Sequence, residues 1–120
     1  MAASVVVQHF RRCVFTATLK DAAGNNISVS GKTLRAKIGT DNATPLIDIN
    51  SSAPTALGSS MTLANPTTIT LSDNELIPSV VAAGVYPLDI CLSDPLQENQ
   101  LVTADVNRII VHQSMTGLGV

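Results

Sequence analysis

The residues that could carry chemistry in this 120-residue chain are few and widely spaced. Its two histidines, His9 and His112, stand near opposite ends, each beside an apolar run. Because the terminal strands of β-sandwiches often pair, these two histidines could lie close together. Cys13, four residues from His9, would share a strand face with it and is the nearest additional metal ligand. No third ligand stands at metal-binding spacing, so we expect two strand-end histidines and no metal site.

The nine carboxylates fall mainly in predicted turns and on the solvent-facing sides of strands. Asp89 and Asp105 instead lie within predicted strands, where they could face each other across the last hairpin. Such a pair costs free energy unless water or a cation such as Arg108 separates the charges. No cleft is indicated there, and the phosphate-loop, Gly-x-Ser-x-Gly and Asp-x-Asp motifs are absent. We therefore predict a protein that is not an enzyme and binds no cofactor.

Composition excludes several other classes of protein. Charged residues make up 13% of the chain, and seven Lys and Arg against nine Asp and Glu give a net charge of −2. Nucleic-acid binding requires a basic surface, and disorder requires low hydropathy with high net charge, so neither is expected. No apolar run approaches the roughly 20 residues that span a membrane. A surface with so few charges suits a chain that works inside an assembly.

The start of the chain and its cysteines point to cytosolic synthesis. We expect no secretory signal, because the apolar run Val5–Val7 is short and no cationic residue precedes it. Two cysteines, Cys13 and Cys91, are too few for a disulfide framework. Alternation places Cys13 among inward-facing residues and Cys91 opposite the inward side chains of its strand. We favour two reduced thiols, with a disulfide as the alternative.

The elements that hold these residues follow a period of two, which is typical of β-strands. Gly, Pro, Asn and Asp cluster between the strands and predict turns, among them Asp21–Asn26, Asn65-Pro66 and Asp94-Pro95. The inward parity of the last strand slips near Asn107, which predicts a β-bulge. Strands are predicted over 12–20, 27–29, 33–39, 46–50, 61–63, 67–71, 84–92 and 100–112.

One helical signal interrupts the strands. Ser72-Asp73-Asn74-Glu75 matches a capping box, with Ser72 as N-cap and Glu75 three residues later. Pro78 and Gly84 limit any helix to one or two turns. The pattern therefore predicts an all-β, antiparallel sandwich of about seven strands with one short helical turn.

We expect one domain with two extensions: an N-terminal arm of residues 1–11, a sandwich over 12–112 and a C-terminal tail of residues 113–120. The extensions and the long loop 52–65 are candidate contacts with neighbouring proteins, because an extended segment can add to a sheet edge. Five basic side chains are candidates for an interface: Arg11, Arg12, Arg35, Lys37 and His112.

Six motifs follow one another in a recognisable order. They are Asp-x-x-Gly-x-x-Ile at Asp21–Ile27, Gly-x-x-x-x-Ala-x-Ile at Gly31–Ile38, Pro-Leu-Ile-Asp at Pro45–Asp48, Ile-Thr-Leu-Ser at Ile69–Ser72, Gly-x-Tyr-x-x-Asp at Gly84–Asp89, and a final strand with Arg and repeated Ile or Val at Arg108–Val111. This order resembles a family of small immunoglobulin-like β-sandwich domains found in tailed-bacteriophage virions. The resemblance covers roughly residues 12–111.

This resemblance implies an immunoglobulin-like sandwich with a structural role as an assembly or adaptor subunit of the tail, baseplate or fibre attachment region. The implied partners are other virion proteins and copies of this chain, with no nucleic acid and no membrane. The implied location is the virion, after synthesis in the host bacterial cytoplasm. A capsid decoration (cement) protein is the alternative in the same class.

A receptor- or carbohydrate-binding module is a further alternative. A sandwich suits this function, but sugar sites usually stack an aromatic ring on the sugar. The chain offers only Phe10, Phe15 and Tyr86, and we expect the last two to lie in the core.

Overall fold

The computed structural model describes residues 3–21, 23–40, 44–93, 100–101 and 103–113. The predicted turn at Asp94-Pro95 and the predicted tail beyond Gln113 lie outside these residues. The described part contains eleven strands: β1 (Ala3–Gln8), β2 (Cys13–Ala17), β3 (Leu19–Lys20), β4 (Thr33–Ile38), β5 (Ile47–Asn50), β6 (Ser60–Met61), β7 (Thr67–Leu71), β8 (Gly84–Ser93), β9 (Gln100–Leu101), β10 (Thr103–Ala104) and β11 (Val106–His112).

The strands form two packed sheets, as the sequence predicts for a sandwich. The larger sheet has the order β1-β11-β8-β4-β5, and β9 also pairs with β8. The smaller sheet has the order β2-β7-β6, and a short β3-β10 pair is separate from both. The expectation of purely antiparallel pairing is wrong for one pair, because β1 runs parallel to β11. The other pairs between described strands are antiparallel.

The N-terminal residues differ most from expectation. Instead of extending as a free arm, Ala3–Gln8 pairs with Val106–His112 along its whole length. The physical reason is the alternation within the valine run, which buries Val7 and half-buries Val5 while Val6 faces solvent. Because β-branched residues suit a half-buried pleated surface, this segment is a good sheet strand. The proposed domain boundaries at residues 12 and 112 stay a prediction.

The core between the sheets is aliphatic. In β4 the inward prediction is confirmed, because Leu34, Ala36 and Ile38 are fully buried while the residues between them are not. Phe15 and Tyr86 are partly buried and pack against this core. Small branched side chains therefore fill the space that aromatic rings occupy in many sandwiches. The other fully buried apolar residues include Leu19, Ile49, Ile69, Leu71, Leu76 and Val81.

The long last strand expected over 100–112 is divided between partners. β9 pairs with β8, β10 pairs with β3, and β11 returns to the larger sheet between β1 and β8. Ala3 lies opposite Val106 whereas Ser4 lies opposite Arg108, so Asn107 is an extra residue in β11. This confirms the predicted bulge, which explains why Val106 and Ile109 both face the core.

The predicted helical turn consists of two separate hydrogen-bonded turns. Leu76 N–H donates to Ser72 O (3.1 Å), and Val81 N–H donates to Ile77 O (2.9 Å). Pro78, near the start of the second turn, has no N–H with which to extend the first turn. As predicted, Ser72 Oγ accepts the Glu75 N–H at 3.1 Å.

In a complete capping box the Glu75 side chain would also accept the Ser72 backbone N–H. Here both groups bond to the preceding loop instead. The buried Glu75 carboxylate accepts the Thr55 hydroxyl at 2.6 Å, and Ser72 N–H donates to Ser59 Oγ at 3.0 Å. Ser72 Oγ donates to Leu57 O at 2.7 Å. These bonds tie loop 51–59 to the turns, so this loop is fixed at several points.

Asn65 joins three segments through one side chain. Its Oδ1 accepts the Leu19 N–H at 2.9 Å, and its Nδ2 donates to Leu19 O (2.8 Å) and Ile27 O (2.9 Å). The amide thus supplies Leu19 with the two backbone bonds that a neighbouring strand would supply. We call this arrangement the Asn65 clamp.

His9 anchors the turn between β1 and β2 to the two turns of residues 72–81. Its ring is 2% exposed, and Nε2 donates to Val81 O at 2.8 Å, which places the proton on Nε2. The next residue adds a bond, since Phe10 N–H donates to Leu76 O at 2.8 Å. The position of β1 therefore depends on this histidine as well as on β11.

We expect His9→Ala to lower the free energy of unfolding by about 2–4 kcal/mol, because it leaves a cavity and an unpaired buried carbonyl. Urea denaturation measures this change. His112→Ala is the matched control, because that side chain is exposed, and its effect should stay within about 0.5 kcal/mol. Equal effects of the two variants would contradict the anchoring role.

Candidate interaction surface

The outer face of the larger sheet, turned away from the core, carries two of the five candidate interface residues. Alternation in β4 places Arg35 and Lys37 on this face, where they stand opposite Cys91 and Asp89 of β8. Farther along β8, Pro87 and Val85 share the face and stand opposite Arg108 and Ile110 of β11. Ser4 and Val6 of β1 complete the same two rows. The sheet thus presents cross-strand rows of differing chemistry.

Arg35 is neutralised within the chain. Its Nε and Nη2 donate to the two carboxylate oxygens of Asp48 at 2.9 and 2.8 Å, and this bond raises the pKa of Arg35. The two side chains are 46% and 31% exposed. Its predicted solvent-facing position is confirmed, and its predicted interface role stays a prediction.

Lys37 has carboxylates on both neighbouring strands. It stands opposite Asp48 of β5 and opposite Asp89 of β8 on the outer face. Half-buried between these strands, it belongs to the same charge-balanced region as Arg35. This end of the outer face therefore resembles an ordinary solvated sheet surface with internal charge pairing.

The other three candidates lie elsewhere. Arg11 and Arg12 are exposed in the turn that follows β1, and His112 is exposed at the end of β11. His9 N–H donates to His112 O at 2.9 Å, which confirms that the segments carrying the two histidines adjoin. Because β8 separates β4 from β11, the structure does not bring the five predicted interface residues into one cluster.

The structure also does not assemble the metal site or the carboxylate pair considered from the sequence, as far as the described residues show. Among the described residues, no three His, Cys, Asp or Glu side chains are arranged to hold a metal ion, and His9 Nε2 is bonded to Val81. The hypothesised pairing of Asp89 with Asp105 is wrong. Asp105 Oδ1 accepts the Thr18 N–H at 2.8 Å, because the chain turns toward β3 at this residue.

The sequence reasoning missed an apolar row at the β1 end of the outer face. Val6, Ile110 and Val85 stand side by side on three neighbouring strands, and Val6 and Val85 are 60% and 55% exposed. We call these three residues the valine row. The available signal was the alternation within the initial valine run, which requires one valine of a paired strand to face outward.

The neighbouring row contains Arg108, which has no carboxylate partner among the described residues. Arg108 Nε donates to Ser4 Oγ at 2.9 Å, and Arg108 forms no ion pair with any described residue. Val85, Pro87, Asn107 and Arg108 line an open groove of about 470 Å³ beside it. The parity slip at Asn107 was the sequence signal for this groove, because a bulge exposes two consecutive side chains.

Both cysteines are free thiols, as expected. Burial raises the pKa of Cys13 and of Cys91, and for Cys91 it outweighs the opposing effect of the nearby Lys37 ammonium. A raised pKa reduces the fraction of thiolate, which is the reactive form. The two thiols therefore contribute to packing and are poorly reactive.

The thiols should alkylate at least about tenfold more slowly in the folded protein than in denaturant at pH 8, as followed by mass spectrometry. Because the folded pKa values exceed the unfolded ones, the free energy of unfolding should decline as the pH rises above about 9. A Cys13→Ala/Cys91→Ala protein should lose this part of the decline. Native thiols reacting at the denatured rate would overturn this reading.

We expect the Arg35–Asp48 pair to contribute modestly to stability. A double-mutant cycle with Arg35→Ala and Asp48→Ala should give a coupling free energy of about 0.3–1 kcal/mol, because the pair is partly solvated. The coupling should shrink in 1 M NaCl, whose ions screen exposed charges. A coupling that high salt leaves unchanged would contradict this description.

Comparison with known proteins assigns no family to this arrangement. No protein-family model matches the chain, and no curated protein matches its sequence. In the part of the chain that the structure describes, no helix has the length and apolar character needed to cross a membrane. A function must therefore be inferred from the motif order and from the outer face of the larger sheet.

Proposed function

We propose that this chain is a non-enzymatic structural protein of a tailed-phage virion, an assembly or adaptor subunit of the tail, baseplate or fibre attachment region. The observation that carries the assembly role is the valine row beside the edge strand β1, since exposed apolar surface with open strand edges suits protein partners. The motif order supports the phage assignment and an immunoglobulin-like form of the two-sheet fold.

The partners we propose are other virion proteins and copies of this chain. The described charges favour protein partners over nucleic acid, because Arg35 is paired with Asp48 and Lys37 stands between two carboxylates. Nucleic-acid recognition would need a run of unpaired cations along one face. The valine row instead offers dispersion and burial of apolar area to a neighbour.

A capsid decoration protein would use the same kind of surface and is the second placement within this class. A carbohydrate-binding module is less well supported by the aromatic side chains. The Phe10 ring packs edge-on to His9 with centroids 6.1 Å apart, and Phe15 and Tyr86 pack against the core. None of the three is arranged as an open stacking platform.

Gold-labelled antibody raised against the purified protein tests the placement on phage particles. We expect the protein in the peptide mass spectrum of purified particles, with gold at the tail or baseplate. Pre-incubation of the antibody with free protein should abolish the label and serves as control. Gold on the head would favour the decoration alternative and sink the tail placement, and absence from the particles would sink the virion role.

A further inference from the structure

β1 is an edge strand of the larger sheet as the described residues form it. It pairs only with β11 among the described strands, so half of its backbone groups face away from the sheet. Its sequence, Ala-Ser-Val-Val-Val-Gln, contains no charge and no proline, the usual devices that block pairing at an edge. The opposite edge, β5, is shorter and carries Asp48. Strand addition is therefore best accommodated at β1.

The side chains beside this edge set what an added strand would meet. On the outer face, Val6 presents the end of the valine row, and two residues earlier Ser4 presents a hydroxyl. A strand paired with β1 would place alternate side chains opposite these two positions, about 5 Å away. An apolar residue opposite Val6 would extend the valine row by one strand.

Arg108 determines the chemistry opposite Ser4. Its Nε–H···Oγ bond to Ser4 directs the guanidinium from β11 toward the β1 edge, and no described residue accepts a bond from its two Nη groups. Arg35, on the same face, has a bidentate carboxylate partner, whereas Arg108 has none among the described residues. The adjoining groove and the Asn107 bulge keep the space beside Arg108 open.

We propose that the β1 edge binds an extended segment of a partner protein that carries a carboxylate opposite Ser4 and an apolar residue opposite Val6. The carboxylate accepts charge-assisted hydrogen bonds from the Arg108 Nη groups. A second copy of β1 satisfies the apolar position but supplies no carboxylate, so the occupant is a different segment. This inference rests on the proposed assembly role and names the chemistry of its partner.

The probe is a peptide that reads the same in both directions, acetyl-Thr-Val-Thr-Glu-Thr-Val-Thr-amide with a fluorescent label, and its control has Gln in place of Glu. With Glu opposite Ser4, a Val lies opposite Val6 whichever way the peptide runs. Anisotropy should show the Glu peptide binding about three- to fivefold more tightly than the Gln peptide, as expected for a partly exposed ion pair. Amide NMR signals of Ser4–Gln8 should shift on binding.

Protein variants assign the preference to Arg108. Arg108→Gln should remove the preference for Glu, while Arg12→Gln, which changes an exposed arginine in the β1–β2 turn, should keep it. Val6→Lys should weaken both peptides. Circular dichroism and thermal unfolding establish that each variant is folded, which exposed positions should permit.

Three results would overturn the proposal: no binding of the Glu peptide at millimolar concentration, equal binding of both peptides, or a Glu preference that survives in Arg108→Gln. Self-association of the wild-type protein that Val6→Lys abolishes, together with no Glu preference, would assign the edge to a second copy instead. Gold labelling of particles tests the virion role independently, so failure of one proposal is distinguishable from failure of the other.

Discussion

The parallel pairing of β1 with β11 is the interaction on which the rest of this surface depends. It converts the first described residues into a sheet strand, places Ser4 beside Arg108, and leaves Val6 facing outward. It also positions the turn whose His9 ring enters the interior and bonds to Val81. Removing this pairing would move the sheet edge to β11 and eliminate the valine row.

Local patterns predicted the parts of the fold that depend on alternation. The inward residues of β4, the bulge at Asn107 and the Ser72 cap follow from side-chain period and hydrogen-bonding chemistry, and the structure contains all three. The parallel strand was not predictable this way, because alternation gives the faces of a strand but neither its partner nor its direction. The division of residues 100–112 among three partners is likewise set by distant segments.

The candidate interface shows the same division between local and long-range information. The outward-facing positions of Arg35 and Lys37 were predictable from alternation, but their acidic neighbours come from β5 and β8. The sequence suggested Arg108 as a bridge between two aspartates, whereas its partner in the structure is Ser4, 104 residues away. Charge balance on a sheet is therefore a property of the strand register. One end of this outer face is internally balanced, and the other presents a cation beside apolar side chains.

The Asn65 clamp has a consequence for the chemical ageing of the protein. Asparagine loses its amide when the backbone nitrogen of the next residue attacks the side-chain carbonyl, and conversion to aspartate here would remove both Nδ2 bonds. Asn65 is the only asparagine in the sequence that precedes a proline, whose ring nitrogen has no N–H for this attack. The amide that holds Leu19 and Ile27 is thereby protected from deamidation by its own neighbour.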